Sequence, residues 1–323
     1  MFSTTLRFIS LRYGAMGMLK SEIQPFTVAS VSIGIHSIVK SRSQSTTMLH
    51  CCQSNYPGKN LREVLQHLEG FAPLNFAESW DNVGLLVDPM ENVPVKNILL
   101  TNDLTEDVLE EAISASAGLI ISYHPNIFHG LKSVTAKTWK ERIIVKCIKH
   151  NIAVFSPHTS WDAVQGGVND WLSEAFEVNS KTPIIENPTN PSVGAGRLCI
   201  LKKPITVEKA VESVKSHIGI PHLRLALGKN KIESDTISSI ALCAGSGSSV
   251  LRGVKADLYL TGEMLHHDVL EATQNGIHVI LCNHSDSERG FLKVFQTKLQ
   301  NELLEEKVGV IIAINDRDPL KTV

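Results

Sequence analysis

Six cysteines in 323 residues form no CxxC pair and no dense framework, so the disulfide scaffold of a small secreted domain is excluded. Cys199, Cys243 and Cys282 each sit in an apolar run, where a reduced thiol behaves as a small hydrophobe. No stretch of about 20 uncharged apolar residues occurs, which argues against a membrane span. The net charge of −2 gives no basic field, so no direct nucleic-acid partner is expected. Three catalytic signatures are also missing: the G-x-S-x-G elbow, the G-x-x-x-x-G-K-[ST] loop, and a G-x-G-x-x-G opening a helix after the first strand.

What remains is a globular composition, 43% hydrophobic and 20% charged, in a chain long enough for two α/β lobes. Residues 1–55 stand apart. Their first 50 carry Arg7, Arg12, Lys20, Lys40 and Arg42 against Glu22 alone and are rich in serine and threonine, the composition of a mitochondrial leader or of an extension without an address. The reading places the chain inside the cell, in cytoplasm or nucleus, or in the mitochondrion if the leader functions.

From Leu61 the periodicity settles. "LREVLQHLEGFAP" predicts a helix with Leu61, Val64, Leu65 and Leu68 on one face. "NILLT", "GLIIS" and "IAVFS" then alternate with helices near 105–116 and 136–150. These short, continuously apolar runs are those of strands covered on both faces. "TPIIENPTNPSVGAG" (182–196) holds three prolines and predicts a linker. A second alternation follows through "LCIL", "LRLAL", "SIALC", "DLYLT" and "HVILC". The expected organisation is a first lobe over 56–181, a linker over 182–196 and a second lobe over 197–323, with mainly parallel sheets flanked by helices and a cleft between the lobes.

Right-handed crossovers put the C-terminal ends of parallel strands on one edge, where open α/β sheets bind ligands. Beyond those ends stand Asp103, His124, His158 with Asp162, Glu263 with His266 and His267, and His284 with Glu288. Each pair has a structural alternative. Ser285 and Glu288 spell a helix capping box; His158 and Asp162 fit a buried histidine and a capping aspartate; His266 and His267 point about 100° apart on a helix. As a set, imidazole and carboxylate donors suit a borderline divalent ion: zinc, iron, manganese or nickel. "GSGSS" (245–249) offers amides for an anion, or is a tight turn.

"ESWDNVGLLV", "SYHPNIF", "SPHTSWDAVQGGVND", "GAGRLCIL", "LCAGSGSSVL", "DLYLTGEMLHHDVLEA" and "HSDSERGFL" together resemble the NIF-three-like (Ngg-one-interacting-factor-three-like) family, which includes the bacterial YbgI proteins, and its animal members above all. The resemblance implies two similar α/β lobes around a dinuclear metal site, homo-oligomers, and a link to a GTP cyclohydrolase of the second type or to transcription-regulatory partners. It also implies His124, Asp162, His284 and Glu288 as ligands of one or two ions. In the enzyme reading, a metal-dependent hydrolase, the catalytic supporting groups are His158, Glu263, His266 and His267. In the competing reading the metal only pins the lobes of an interaction protein. Tyr123 stands where the family's motif has the first histidine of a pair. "SPHTSWD" and "GAGRLCIL" lie only about 35 residues apart, which leaves little room for the inserted domain of some members.

Overall fold

A computed structural model of the chain describes residues 56–90, 94–305 and 307–322. The expected leader over 1–55 lies outside them. Along the chain run α1 (Leu61–Phe71), β1 (Gly84–Val87), β2 (Asn97–Thr101), α2 (Glu106–Ser114), β3 (Leu119–Ser122), α3 (Trp139–Lys149), β4 (Ala153–Ser156), α4 (Thr159–Ala163) and α5 (Val168–Ser173). Next come β5 (Val178–Thr182), β6 (Ile185–Asn187), β7 (Asn190–Ala195), β8 (Arg197–Thr206), α6 (Val207–Ile218), β9 (Arg224–Ala226), β10 (Thr236–Ser246) and α7 (Ser248–Leu251). The remainder is β11 (Leu258–Glu263), α8 (His266–Gln274), β12 (His278–Leu281), α9 (Asp286–Arg289), α10 (Phe291–Lys298) and β13 (Gly309–Ile312).

Local chemistry fixes the helix ends. The Asn60 side chain accepts the Arg62 amide at the start of α1, and Thr105 caps α2 behind Glu106 and Asp107. Thr138 and Glu141 close a reciprocal capping box on α3, while Gly219, in the left-handed region at φ 82°, ends α6.

The strands form two main sheets, β1-β4-β3-β2-β13 and β5-β8-β10-β11-β12-β9, and the hairpin β6-β7. In the first sheet β4, β3, β2 and β13 are parallel and β1 is antiparallel at the edge. In the second, β10, β11 and β12 are parallel; β8 is antiparallel to β10 and β5 to β8 on one side, and β9 is antiparallel to β12 on the other. Alternate residues of each strand serve different cores. Ile98, Leu100, Ile121 and Phe155 pack with Ile240, Leu242, Leu260 and Ile280 in one cluster that both sheets share, filled by Trp161, Phe291 and Phe295. Leu99, Ile120 and Val154 turn instead to α2 and α3, and Ala241, Tyr259 and Val279 to Leu251 and Ala272. Each fully buried aliphatic side chain of this kind contributes about 1.5–3 kcal/mol.

Strand pairing crosses the expected boundaries. β5, within the predicted first lobe, pairs with β8 of the second sheet. β13, within the predicted second lobe, returns to pair with β2 of the first. The predicted linker is ordered as β6, β7 and the turn between them. The cause is shared burial: α10 and β13 carry Phe291, Phe295 and Val310 into the common core, so the chain is not divisible at residue 196. Among the described residues no helix is long and apolar enough to cross a membrane.

Candidate metal centre

Glu288 is the buried centre of the site, 3% exposed on α9. Its Oε1 lies 3.3 Å from His284 Nε2 and its Oε2 lies 3.4 Å from His124 Nε2. One potential ligand atom from each of the three lies within 4.8 Å of the others. His124 reaches this point from the loop after β3, and His284 from the loop after β12. The two sheets thus meet at their parallel strand ends.

Both imidazoles are oriented from behind. Asp103 Oδ1, after β2, is 2.9 Å from His124 Nδ1, and Glu263 Oε1, at the end of β11, is 2.8 Å from His284 Nδ1. A carboxylate at Nδ1 keeps the hydrogen there and leaves the Nε2 lone pair facing Glu288, the arrangement that prepares histidine for a metal. Burial would lift the Asp103 carboxyl, but the His124 hydrogen bond and charge, with Arg289, outweigh it and hold it below the ordinary range. Glu288 behaves oppositely. Burial pushes its carboxyl well above the ordinary range, aided by the charges of Asp162 and Asp103 and resisted by the Asn102 amide, 3.1 Å from Oε2. A buried carboxylate facing two imidazole lone pairs is a donor set that a divalent cation fits, because the ion's charge replaces the hydration the carboxylate has lost.

Gly245, at the end of β10, makes room for that carboxylate. It has φ +63°, and a Cβ there would overlap Glu288 Oε1 and stand 3.2 Å from His284 Nε2. Gly245→Ala is therefore expected to displace Glu288 and lower zinc affinity at least tenfold, beyond the roughly 1 kcal/mol cost of a left-handed alanine. Gly253→Ala is the control. It carries the same backbone cost at φ +77° in open space, so equal zinc titrations for the two variants would refute the clash.

The other predicted site residues divide. Asp162 lines the same cavity, but its Oδ1 accepts the Tyr123 hydroxyl at 2.6 Å and it is not part of the close triad. Burial raises its carboxyl, against the Tyr123 hydrogen bond and the charge of His158. Burial likewise pushes the Tyr123 phenol well above its ordinary value, with Asp162 adding to it, so the ring is neutral. His158 lines the cavity with Nδ1 2.7 Å from Asp81 Oδ1. Its φ of +35° is unusual for a residue with a side chain and costs on the order of 1–3 kcal/mol, met by surrounding contacts. Asp81 also accepts the Thr159 amide and hydroxyl. His266 and His267 sit exposed on the first turn of α8, rings 5.3 Å apart, and neither lines the cavity.

Three alternatives are settled by contacts. Ser285 makes no capping bond and donates to Asp318 instead, so no capping box forms. Asp162 caps no helix, since its carboxylate serves Tyr123. In "GSGSS" the Gly245 and Gly247 amides donate to Ser287 and Thr261 hydroxyls, so they are unavailable to an anion. Sequence reasoning passed over Asn102 and Asp81, although Asp81 lies inside a quoted motif block.

The cavity measures about 600 Å³. Its wall includes Trp80, Phe128, Lys140, Cys243 and Ser249 beside the triad. Trp80 is 59% exposed, 6.0 Å from Phe128 and 6.0 Å edge-on from His158.

Known proteins share the sequence and the fold. "NIF3-like protein 1" of Drosophila melanogaster is 47% identical over 272 residues, covering 84% of this chain and 91% of that protein. "NGG1-interacting factor 3" of Saccharomyces cerevisiae is 36% identical over 280 residues, covering 80% and 96%. The crystal structure of a Bacillus cereus protein related to NIF3 superposes with a TM-score of 0.73 over 82% of this chain and 99% of that one, and at 21% identity it shows the fold alone. The sequence pattern of the Duf34/NIF3 (NGG1p interacting factor 3) family spans residues 59–319, and the chain belongs to that family.

Proposed function

We propose that the chain is a divalent-metal hydrolase acting on a nucleotide-like substrate. The observation that carries this reading is the convergence of His124 Nε2, His284 Nε2 and the buried Glu288 carboxylate, each imidazole held from behind by a carboxylate. His124, His284 and Glu288 would hold a divalent ion, which would supply Lewis acidity for activating water. His158, steadied by Asp81, presents its ring to the same cavity as a proton-handling group. At the mouth, the exposed faces of Trp80 and Phe128 support a planar ring, and the Lys140 ammonium supports an anionic group. Glu263 orients His284, while His266 and His267 take no part.

Metal content and hydrolysis of a nucleotide panel, with and without chelator, test the reading. Glu288→Gln keeps the shape and removes the charge. It should lower zinc affinity at least tenfold and hydrolysis by two orders of magnitude or more. Hydrolysis that survives both chelator and the substitution would refute the proposal.

A second reading has a specific observation behind it: Tyr123 ties up Asp162, and the S. cerevisiae relative bears the name of an interaction factor. A transcription-related partner, or assembly into homo-oligomers, would then be the role, with the metal as a pin. Under that reading chelator lowers the melting temperature or the oligomer size while no hydrolysis is there to lose.

A further inference from the structure

The C-terminal segment beyond β13 touches the loop after β2, which carries Asp103, and the segment from His284 to Arg289 through Ser285 and Arg289. Asp316, with a side chain 1% exposed, accepts the Asn102 amide at Oδ2 (2.7 Å) and the Asp103 amide at Oδ1 (3.4 Å), residues more than 200 positions earlier. The same Oδ1 pairs with Arg289 Nη1, and Arg289 directly follows Glu288. The segment is anchored on either side of Asp316. Glu111 takes the Ile314 and Asn315 amides at 2.8 and 3.0 Å, and Asp318 accepts the Ser285 hydroxyl at 2.8 Å.

Arg289 has a second carboxylate within reach. Its Nη2 donates to the Ser285 hydroxyl at 2.8 Å and lies 3.8 Å from Asp103 Oδ2, whereas Asp103 Oδ1 is committed to His124 at 2.9 Å. An arginine released from Asp316 would close on Asp103, for which it is the stronger partner, and would turn that carboxylate off the imidazole.

We propose that Asp316 is a positioning residue for the metal centre: it seats Asn102 and Asp103 and keeps Arg289 from closing beyond its present 3.8 Å on Asp103, so that Asp103 stays on His124. The proposal rests on the metal reading of the site. It assigns the C-terminal segment a role in ligand geometry, beyond closing the first sheet.

Cobalt(II) is the probe, because its visible absorption reports ligand geometry without any assay of activity. In the full chain, Asp316→Asn should weaken cobalt binding about 10–100-fold, the usual effect of losing a partner behind a ligand, and alter the absorption bands. Asp316→Asn combined with Arg289→Met should recover most of the affinity, because the competing cation is gone. Asp316→Glu, which keeps a charge on Arg289, should lose less than fivefold and also serves if the asparagine variant folds poorly. Wild-type affinity in Asp316→Asn would overturn the proposal alone, as would a double variant as weak as the single one. Wild-type protein that never binds cobalt would overturn the metal reading and this proposal with it.

Discussion

Replacing Arg197 with leucine is expected to destabilise the protein by about 3–5 kcal/mol, the cost of breaking a buried ion pair from one side. Arg197 is 2% exposed and uses its whole guanidinium. Nε donates to Asp170 Oδ1 at 2.6 Å, Nη1 to the Gly194 and Gly196 carbonyls at 2.7 and 2.8 Å, and Nη2 to those of Ala163 and Val164 at 3.1 Å. The loss would strand four carbonyls in the region where α4, α5 and the β6-β7 hairpin meet β8, and leave Asp170 with only the Gly166 amide and Lys181. Melts should fall by roughly 6–20 °C, taking about 2–4 °C per kcal/mol for a unit of this size. Arg197→Lys should recover only part, since a single ammonium cannot reach five acceptors.

The pH dependence carries a sign. Burial would raise the Asp170 carboxyl, yet the charge and hydrogen bond of Arg197, the Gly166 amide and Lys181 hold it below its ordinary 3.8. Its contribution is therefore fully present above the ordinary aspartate value and is lost as pH falls through the lower folded value. In Arg197→Leu burial acts unopposed by the guanidinium, so the gap between variant and wild type should narrow below about pH 4. A gap under about 1 kcal/mol at pH 7, or one that widens in acid, would contradict this account.

The parts legible in the sequence are those that short-range physics decides. β2, β3, β4, β11 and β12 are fully or almost fully buried runs, and only a strand covered on both faces is apolar at every position. His124, His284 and Glu288 were legible for a related reason: each lies just past such a run, where the crossover rule gathers loops at one edge. β13 is also an apolar run, though only half buried, and nothing local says that Gly309 pairs with Asn97. β5 and β6 were missed because most of their residues are exposed, which removes the apolar pattern that marks a strand. The supports of the site follow the same division. Asp103 and Glu263 sit beside strand ends and could be named, whereas Asp81 meets His158 across 77 positions and Asp316 meets Asn102 across 214. A single carboxylate has no periodicity, so only the folded chain reveals its partner.

Tyr123→His should raise bound zinc from about one ion per chain to about two. In the wild type the phenol is 2% exposed, its ring 5.0 Å from that of His124, and its hydroxyl donates to Asp162 Oδ1 at 2.6 Å. A neutral phenol held far above its ordinary pKa is a poor zinc ligand, and it occupies the Asp162 carboxylate beside the triad. Imidazole at position 123 adds a nitrogen donor and releases Asp162 beside His124. The exchange also removes volume from a packed aromatic cluster, so the metal-free variant should melt lower by the equivalent of about 1–3 kcal/mol. Zinc should offset most or all of that loss, contributing about 2.7 kcal/mol at a hundredfold excess over Kd. His284→Ala works in the other direction. It leaves Glu288 facing one imidazole and should cost more affinity than the roughly 10–100-fold typical of a lost supporting partner. Elemental analysis and zinc-dependent melts of the three proteins read all of this. One ion in both wild type and Tyr123→His would remove Asp162 from the ligand set. Zinc retained by His284→Ala at wild-type affinity would remove the triad itself, because no other described His, Cys, Asp or Glu set brings its donors so close together.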